Sequence, residues 1–120
     1  MATASQRKGS RYELELAKYF NDNTPLTNVG RAPLSGGGNV QMSGGADLLG
    51  TPDLFVEAKR VEKLNFLDAM RQAERNISQT NSPEMPIVIN RRNQMTTGQS
   101  LCLLRLDDFL RLYNTWLNNS

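Results

Sequence analysis

The residues best suited to catalysis or metal binding are two acids and a lysine near the middle of the chain. Side chains alternate between the two faces of a strand, so a strand at Leu54–Lys59 places Glu57 and Lys59 on one face, about 7 Å apart. The turn-forming residues 50–53 fold the preceding segment back, which places Asp47 beside Glu57 to within one residue of register. Adjacent carboxylates repel each other, and Mg²⁺ relieves this repulsion because it prefers oxygen ligands. The pattern predicts a metal site whose lysine can polarise an attacking water or offset charge on a phosphate.

A third acid, Glu13, lies on a helix predicted over residues 10–22. At 100° per residue, Glu13 falls within the apolar arc of this helix, whereas Glu15 lies on the solvated side. A glutamate that faces the core is unusual unless it is paired or binds a metal. The alternative is a capping-box role, in which the Glu13 side chain reaches back to the backbone amide of Ser10. Both interpretations remain open from the sequence.

Composition excludes several kinds of chemistry. The 120 residues include no histidine, so the chain has no Ser–His or Cys–His pair, no His-ligated zinc and no histidine general base. The one cysteine, Cys102, is expected to be a buried structural thiol. The length fits a single domain over residues 1–120, and 38% hydrophobic with 22% charged residues is typical of a globular protein. No apolar run could cross a bilayer and no signal peptide is apparent, so the cytoplasm is the expected location.

The hydrophobic pattern predicts elements in the order α-β-β-β-α-β-β-α, a mixed α/β domain with a central sheet flanked by helices. Asn65 and Asp107 are the expected N-caps of the second and third helices. The third helix is expected to bury one side, formed by Phe109, Leu112, Tyr113 and Trp116. The predicted helices span residues 10–22, 65–79 and 107 onward, and the predicted strands span residues 28–32, 47–49, 54–59, 87–89 and 101–106.

The candidate residues resemble the motifs of the PD-(D/E)xK nuclease superfamily, and within it the archaeal-type Holliday junction resolvases and their bacteriophage relatives. Asp47 and Glu57-Ala58-Lys59 match the metal-binding aspartate, the metal-binding glutamate and the catalytic lysine. The segment from Lys8 to Glu13 is similar to the family's opening Lys-Gly segment, whose glutamate assists at the metal site. Gln72 resembles a helical glutamine that supports the site. The resemblance covers roughly residues 8–93.

The resemblance also implies which residues contact DNA. Residues 30–35 are similar to a stretch in which an arginine and a serine contact DNA, and residues 85–92 are similar to a strand followed by a basic loop. Asp47 is not directly preceded by proline; Pro52-Asp53 resembles the motif name but is expected to form only the hairpin turn. A solvated side chain is the alternative role for each arginine. The expected DNA contacts are Lys8, Arg31, Ser35, Arg60, Arg91 and Arg92.

By resemblance, the fold is restriction-endonuclease-like and the protein is a magnesium-dependent endonuclease, with Mn²⁺ able to substitute, located in the host cytoplasm if it is phage-encoded. The implied substrate is a four-way DNA junction, and the implied active unit is a homodimer, because two sites on a two-fold assembly suit two symmetric nicks. The C-terminal helix, with Leu110, Tyr113, Trp116 and Leu117, is a candidate interface, and a core position for Trp116 is the alternative. Rival hypotheses are a general or nicking DNA endonuclease with the same site and a catalytically silent DNA-binding module.

Overall fold

The computed structural model describes residues 3–33 and 45–119, and these residues form three α-helices and five strands in the predicted order. No helix within the described ranges is long and apolar enough to cross a membrane. The elements are α1 (Ala4–Asn23), β1 (Gly30–Arg31), β2 (Leu48–Leu49), β3 (Leu54–Lys59), α2 (Phe66–Thr80), β4 (Met85–Asn90), a 3₁₀ turn (Thr97–Gln99), β5 (Leu101–Leu103) and α3 (Leu106–Asn118).

The sheet is mixed, as predicted. β3 and β4 are parallel, with Lys59 opposite Asn90, and β5 runs antiparallel on the other side of β4. Parallel neighbours need a crossover connection, and α2 provides it between β3 and β4. β1 and β2 form a separate antiparallel pair with Arg31 opposite Leu48. The chain therefore has the mixed α/β architecture expected of a restriction-endonuclease-like fold.

The core lies on both faces of β3 and β4. Val56 and Ala58 pack on one side with Tyr12 and Leu16 of α1. Phe55 points the other way and packs against Ala73 of α2. The alternation predicted for β3 is therefore confirmed, and it directs Glu57 to the side opposite Val56 and Ala58.

The first helix begins earlier than predicted. Its N-cap is Thr3, whose hydroxyl accepts a hydrogen bond from the Gln6 backbone N–H at 3.1 Å, while the Thr3 N–H donates to Gln6 Oε1 at 2.8 Å. Ser10 lies inside the helix, so the capping-box interpretation of Glu13 is wrong. The earlier start escaped notice because the first two turns are exposed and carry no apolar period that would indicate a helix.

The second helix begins as predicted, with the Asn65 side chain accepting a hydrogen bond from the Asp68 N–H at 3.1 Å. The third does not: Arg105 precedes it without a side-chain cap, and Asp107 lies in the first turn. The expected burial of Phe109, Leu112, Tyr113 and Trp116 is also wrong, because no residue of α3 is buried.

Cys102 is exposed rather than buried, which corrects the expectation of a buried thiol. The reason is its position on β5, a strand of three residues that lies at one edge of the sheet and ends before the predicted residue 106. An edge strand leaves one side of its backbone without a neighbouring strand, so its side chains are covered less completely.

Candidate active site

Asp47 is fastened to β3 by both its backbone and its side chain. Its N–H donates to the Val56 carbonyl at 2.9 Å, and its Oδ2 accepts from the Ala58 N–H at 2.7 Å. These two contacts lie on either side of Glu57 in the chain, so Asp47 is adjacent to Glu57, within the register that the turn predicts. No hydrogen bond to the other Asp47 carboxylate oxygen is found among the described residues.

Glu57 is a buried carboxylate with one oxygen left without a partner. Only 4% of the residue is exposed. Its Oε1 lies 3.3 Å from Lys59 Nζ, whereas its Oε2 is buried and accepts no hydrogen bond from any described residue. A buried charged oxygen without a partner is costly, so a ligand at this position would stabilise the site.

The pKa values show that the three acids lie within one another's electric field. The pKa of Glu57 is raised to about 7, mainly by burial and next by the neighbouring Asp47 charge, while Lys59 opposes the shift. Burial likewise raises the pKa of Glu13 to about 7, again with a contribution from Asp47. The pKa of Asp47 is raised by burial and lowered by the Ala58 N–H and by Lys59. The protein thus holds three acids together at a cost that a cation would relieve.

The residues fit a divalent cation of the magnesium type. Within residues 3–33 and 45–119, no three acids are close enough to form a complete metal cage. Mg²⁺ does not need one, because it usually takes one or two carboxylates and completes its shell with waters and substrate phosphates. The unpartnered Glu57 oxygen and the second oxygen of Asp47 offer such a pair, and Glu13 lies near enough to interact with both acids.

Lys59 and Gln72 lie on the same cavity. This groove of about 370 Å³ is also lined by residues at the start of α2, among them Asn65 and Asp68. About 29% of the Lys59 side chain is exposed, so its ammonium can contact both Glu57 and a molecule in the groove. The structure therefore brings Asp47, Glu57 and Lys59 together, with Glu13 and Gln72 at the borders.

The residues expected to contact DNA are in different situations. Arg31 is on β1, close enough to Glu13 to lower the pKa of that acid. Lys8 and Arg92 are exposed, and Ser35 lies outside the described residues.

Arg60 and Arg91 are largely engaged with the protein itself. Only 9% of the Arg60 side chain is exposed, and it donates to the Arg91 carbonyl at 3.2 Å and to Asn93 Oδ1 at 2.9 Å. Arg91 pairs with Glu15 at 3.2 Å and lies over the Tyr12 ring, 5.5 Å from its centroid. Either arginine would have to give up such contacts to bind a phosphate.

Asn90 is a residue that the sequence analysis missed. It is fully buried, its Nδ2 donates to the Val61 carbonyl, and its Oδ1 accepts from the Val61 N–H, both at 3.1 Å. The Arg91 N–H also donates to the Lys59 carbonyl at 3.2 Å. These bonds fix the chain directly after Lys59. The available signal was a polar residue closing the apolar run Met85–Ile89, because buried amides are normally hydrogen-bonded.

Comparison with known protein families identifies a family for this chain. The model of a family described as "Phage putative PDDEXK endonuclease" matches residues 4–119, which is nearly the whole chain. Searches with this chain found no match among the curated proteins and none among the solved structures. The family name agrees with the acid–acid–lysine arrangement around β3 and with the mixed α/β fold. The chain therefore belongs to this phage family of PDDEXK endonucleases, and it is a nuclease.

Proposed function

We propose that the protein is a metal-dependent, structure-specific DNA endonuclease that hydrolyses phosphodiesters at four-way (Holliday) junctions. Mg²⁺ is the proposed cofactor, and Mn²⁺ is expected to substitute. The observation that carries the hydrolytic part is the buried, unpartnered Glu57 oxygen beside Asp47, with the Lys59 ammonium 3.3 Å from the other Glu57 oxygen. This is a donor set for a hard cation with a positive charge directly beside it.

The mechanism assigns distinct tasks to the residues of the site. Asp47 and Glu57 would hold the ion, and Glu13 would complete or adjust the set. The chemistry that such an ion would supply is Lewis-acid polarisation of the phosphate and a lower pKa for the water nucleophile. Lys59 donates hydrogen bonds to the phosphate and offsets the negative charge that develops in the transition state. Gln72, which lines the same groove as Lys59, would orient the substrate or the water.

Preference for four-way junctions is supported by the N-terminal resemblance to junction resolvases, which includes Lys8 and Glu13. A junction is resolved by two symmetric nicks, and two copies related by a two-fold axis present two identical sites to it. A homodimer is therefore part of the proposal.

The exposed face of α3 supports such a dimer. Seven large apolar side chains lie within about 160° of the helix circumference at 100° per residue, and each is at least 40% exposed. A stripe of this kind, repeated at the spacing of a helix–helix seam, is typically covered by another helix. The residues are Leu106, Phe109, Leu110, Leu112, Tyr113, Trp116 and Leu117.

A second copy of α3 fits this face better than DNA or a membrane does. The charged residues of the helix are Asp107, Asp108 and Arg111, and the first two would repel phosphates. Helices that lie on membranes carry several lysines or arginines on the polar face, and α3 carries one arginine. Antiparallel packing of two copies would place the acidic first turn of each beside the uncharged end of the other and would oppose the helix dipoles favourably.

The decisive experiment offers the purified protein an end-labelled four-way junction and a linear duplex of the same arm sequence, with Mg²⁺, with Mn²⁺ and with EDTA. Paired, symmetric nicks in the junction alone, dependent on metal, are the expected result. Equal cutting of the linear duplex would contradict the junction preference and would indicate a general or nicking nuclease. Binding of DNA without cleavage under any metal condition would indicate a silent DNA-binding module and overturn the catalytic proposal.

A further inference from the structure

The outward face of α2 carries arginines that lie next to the active-site groove. A second groove, of about 430 Å³, adjoins the first and is lined by Arg71, Glu74, Arg75, Ser78 and Gln79. Arg75 also lines the first groove, together with Lys59 and Gln72. The two grooves therefore meet at Arg75, and together they lead from Lys59 along the polar face of α2.

The charges along this path favour an anion. No hydrogen bond or ion pair of the Arg75 guanidinium with another described residue is found. The acid in the second groove, Glu74, is already neutralised, because Arg105 donates two hydrogen bonds of 3.0 Å to its two oxygens. Asp68 remains as an acid of the first groove, near the start of α2.

The spacing also suits a nucleic-acid backbone. Arg71 and Arg75 are one helical turn apart, about 6 Å along the axis, and such i, i+4 side chains lie on the same face. Long, flexible guanidinium side chains at this distance can each reach a phosphate of one strand. Ser78 and Gln79 continue the face for one further turn with neutral hydrogen-bonding groups.

Arg60 and Arg91, whose backbones adjoin Lys59, are less available. Arg60 is 9% exposed and engaged with Asn93 and the Arg91 carbonyl, and Arg91 is paired with Glu15. A DNA strand whose scissile phosphate lies at Lys59 would therefore meet Arg75, and Arg71 beside the already paired Glu74, whereas Arg60 and Arg91 are engaged with other protein groups.

We infer that Arg71 and Arg75 form a phosphate-binding site for the DNA strand next to the scissile position, with the backbone running from Lys59 along α2. This inference rests on the proposed nuclease function and extends it to the path of the substrate. Contacts of this kind bind the backbone whatever its sequence, so they act on junction and duplex alike.

The test is the salt dependence of DNA binding, measured in EDTA so that no cleavage occurs. Fluorescence anisotropy with a labelled junction and a labelled duplex gives Kd between 50 and 200 mM salt, a range over which phosphate contacts dominate. For Arg71→Ala/Arg75→Ala, the slope of log K against log salt is expected to become shallower by about 2, since each phosphate contact contributes about 0.9.

Three further variants make the result specific. Arg75→Lys keeps the charge and should keep the wild-type slope. Lys18→Ala, on the solvated side of α1 with 78% of the lysine side chain exposed, should leave the slope unchanged. Asp68→Asn removes from the first groove a negative charge that repels the DNA phosphates, so this variant should bind DNA more tightly. Far-UV circular dichroism confirms that each variant is folded.

The outcomes separate this inference from the proposed function. An unchanged slope for the double arginine variant, in a protein that still cleaves DNA as wild type, would overturn the α2 path and leave the nuclease proposal standing. A wild-type protein that neither binds nor cleaves DNA would overturn both. Unchanged binding by Asp68→Asn would contradict passage of the strand through the first groove.

Discussion

At the scale of single residues, Glu57 and Lys59 stand in different surroundings although they share one face of β3. The glutamate is buried and has one oxygen without a partner, while the lysine reaches the groove in front of it. The first can hold a cation and the second can contact a phosphate, so each should be needed for chemistry and neither should be needed for the fold.

Replacing either residue tests this division. Glu57→Gln and Lys59→Ala are expected to reduce cleavage by about a hundredfold or more, because the first removes a charged ligand of the cation and the second removes the positive charge that stabilises the transition state. DNA binding in EDTA should remain measurable for both. Single-turnover cleavage and anisotropy measure the two effects separately.

Asp53→Asn is the matched carboxylate control for that experiment. Asp53 is exposed in the turn before β3 at a φ of 66°, a conformation that asparagine also tolerates. Its activity should equal that of wild type. Normal cleavage by Glu57→Gln, or loss of cleavage by Asp53→Asn, would contradict the assignment of the site.

The raised pKa values predict how pH affects the metal-free protein. Glu13 and Glu57 have pKa values of about 7 in the folded protein, above their ordinary 4.5, so the folded state holds these protons more tightly than the unfolded chain. The contribution of these protonated acids to the free energy of unfolding is fully present below pH 4.5 and is lost as the pH rises through about 7. In EDTA, the Tm should therefore fall between pH 5 and pH 8.

Magnesium should reverse that trend. The cation competes with the same protons, so its affinity should rise with pH through about 7, and added Mg²⁺ should raise the Tm more at pH 8 than at pH 6.

Glu13→Gln should weaken metal binding without lowering the Tm in EDTA at pH 8, because Glu13 is not a helix cap. A Tm in EDTA that does not depend on pH over this range would be inconsistent with a buried acid cluster.

At the scale of elements, the turn between β2 and β3 sets the position of Asp47. Gly50 has a φ of 84°, and a Cβ added there would lie 2.5 Å from the Asn28 carbonyl oxygen. Glycine is the residue that tolerates both conditions, since it has no Cβ and readily adopts positive φ. The turn therefore holds Asp47 beside β3 and packs the β1 segment against it.

Gly50→Ala should destabilise the protein by about 1–3 kcal/mol, the usual cost of a strained backbone at positive φ. Urea unfolding measures the change. Gly9→Ala is the control, because Gly9 lies within α1 with no atom within 4 Å of an added Cβ. That variant should be unchanged or more stable by up to about 1 kcal/mol. Equal stabilities for the two variants would contradict the role of the turn.

At the scale of the whole molecule, α3 is the feature that the monomer does not explain. Its apolar stripe remains exposed, with Trp116 at 65%, although Arg105 ties the start of the helix to α2. Burial of each such side chain is worth roughly 1.5–3 kcal/mol. A second copy that covers the stripe would gain this energy from both helices at once.

Trp116→Asp should convert the proposed homodimer to a monomer without unfolding it, because Trp116 is not buried within one chain. Sedimentation velocity measures the oligomeric state, and circular dichroism measures the fold. Asn114→Asp introduces the same charge on the polar side of α3 and should leave the dimer intact. A monomeric wild-type protein, or a Trp116→Asp variant that still dimerises, would contradict the proposed interface.

Features that depend on short stretches of chain could be predicted from the amino-acid pattern alone. The two-residue period of a strand placed Glu57 and Lys59 on one face, and turn-forming residues placed Asp47 beside them. Hydrophobic periods likewise predicted the order of helices and strands. These signals are local, because side-chain direction and turn geometry follow from neighbouring residues. The early start of α1 was missed although its Thr3–Gln6 capping box is local, since no apolar period accompanies it.

The distant partners that these residues contact could not be predicted in the same way, because they depend on how the elements pack. The packing of α1 on β3 brings Glu13 near Asp47, while Asn93 in the loop after β4 engages Arg60 and Glu15 of α1 pairs with Arg91. The amphipathic pattern of α3 predicted an apolar face but not what covers it, and within one chain that face stays exposed. The physical reason is that burial and the choice of partner for a long charged side chain depend on contacts between segments far apart in sequence.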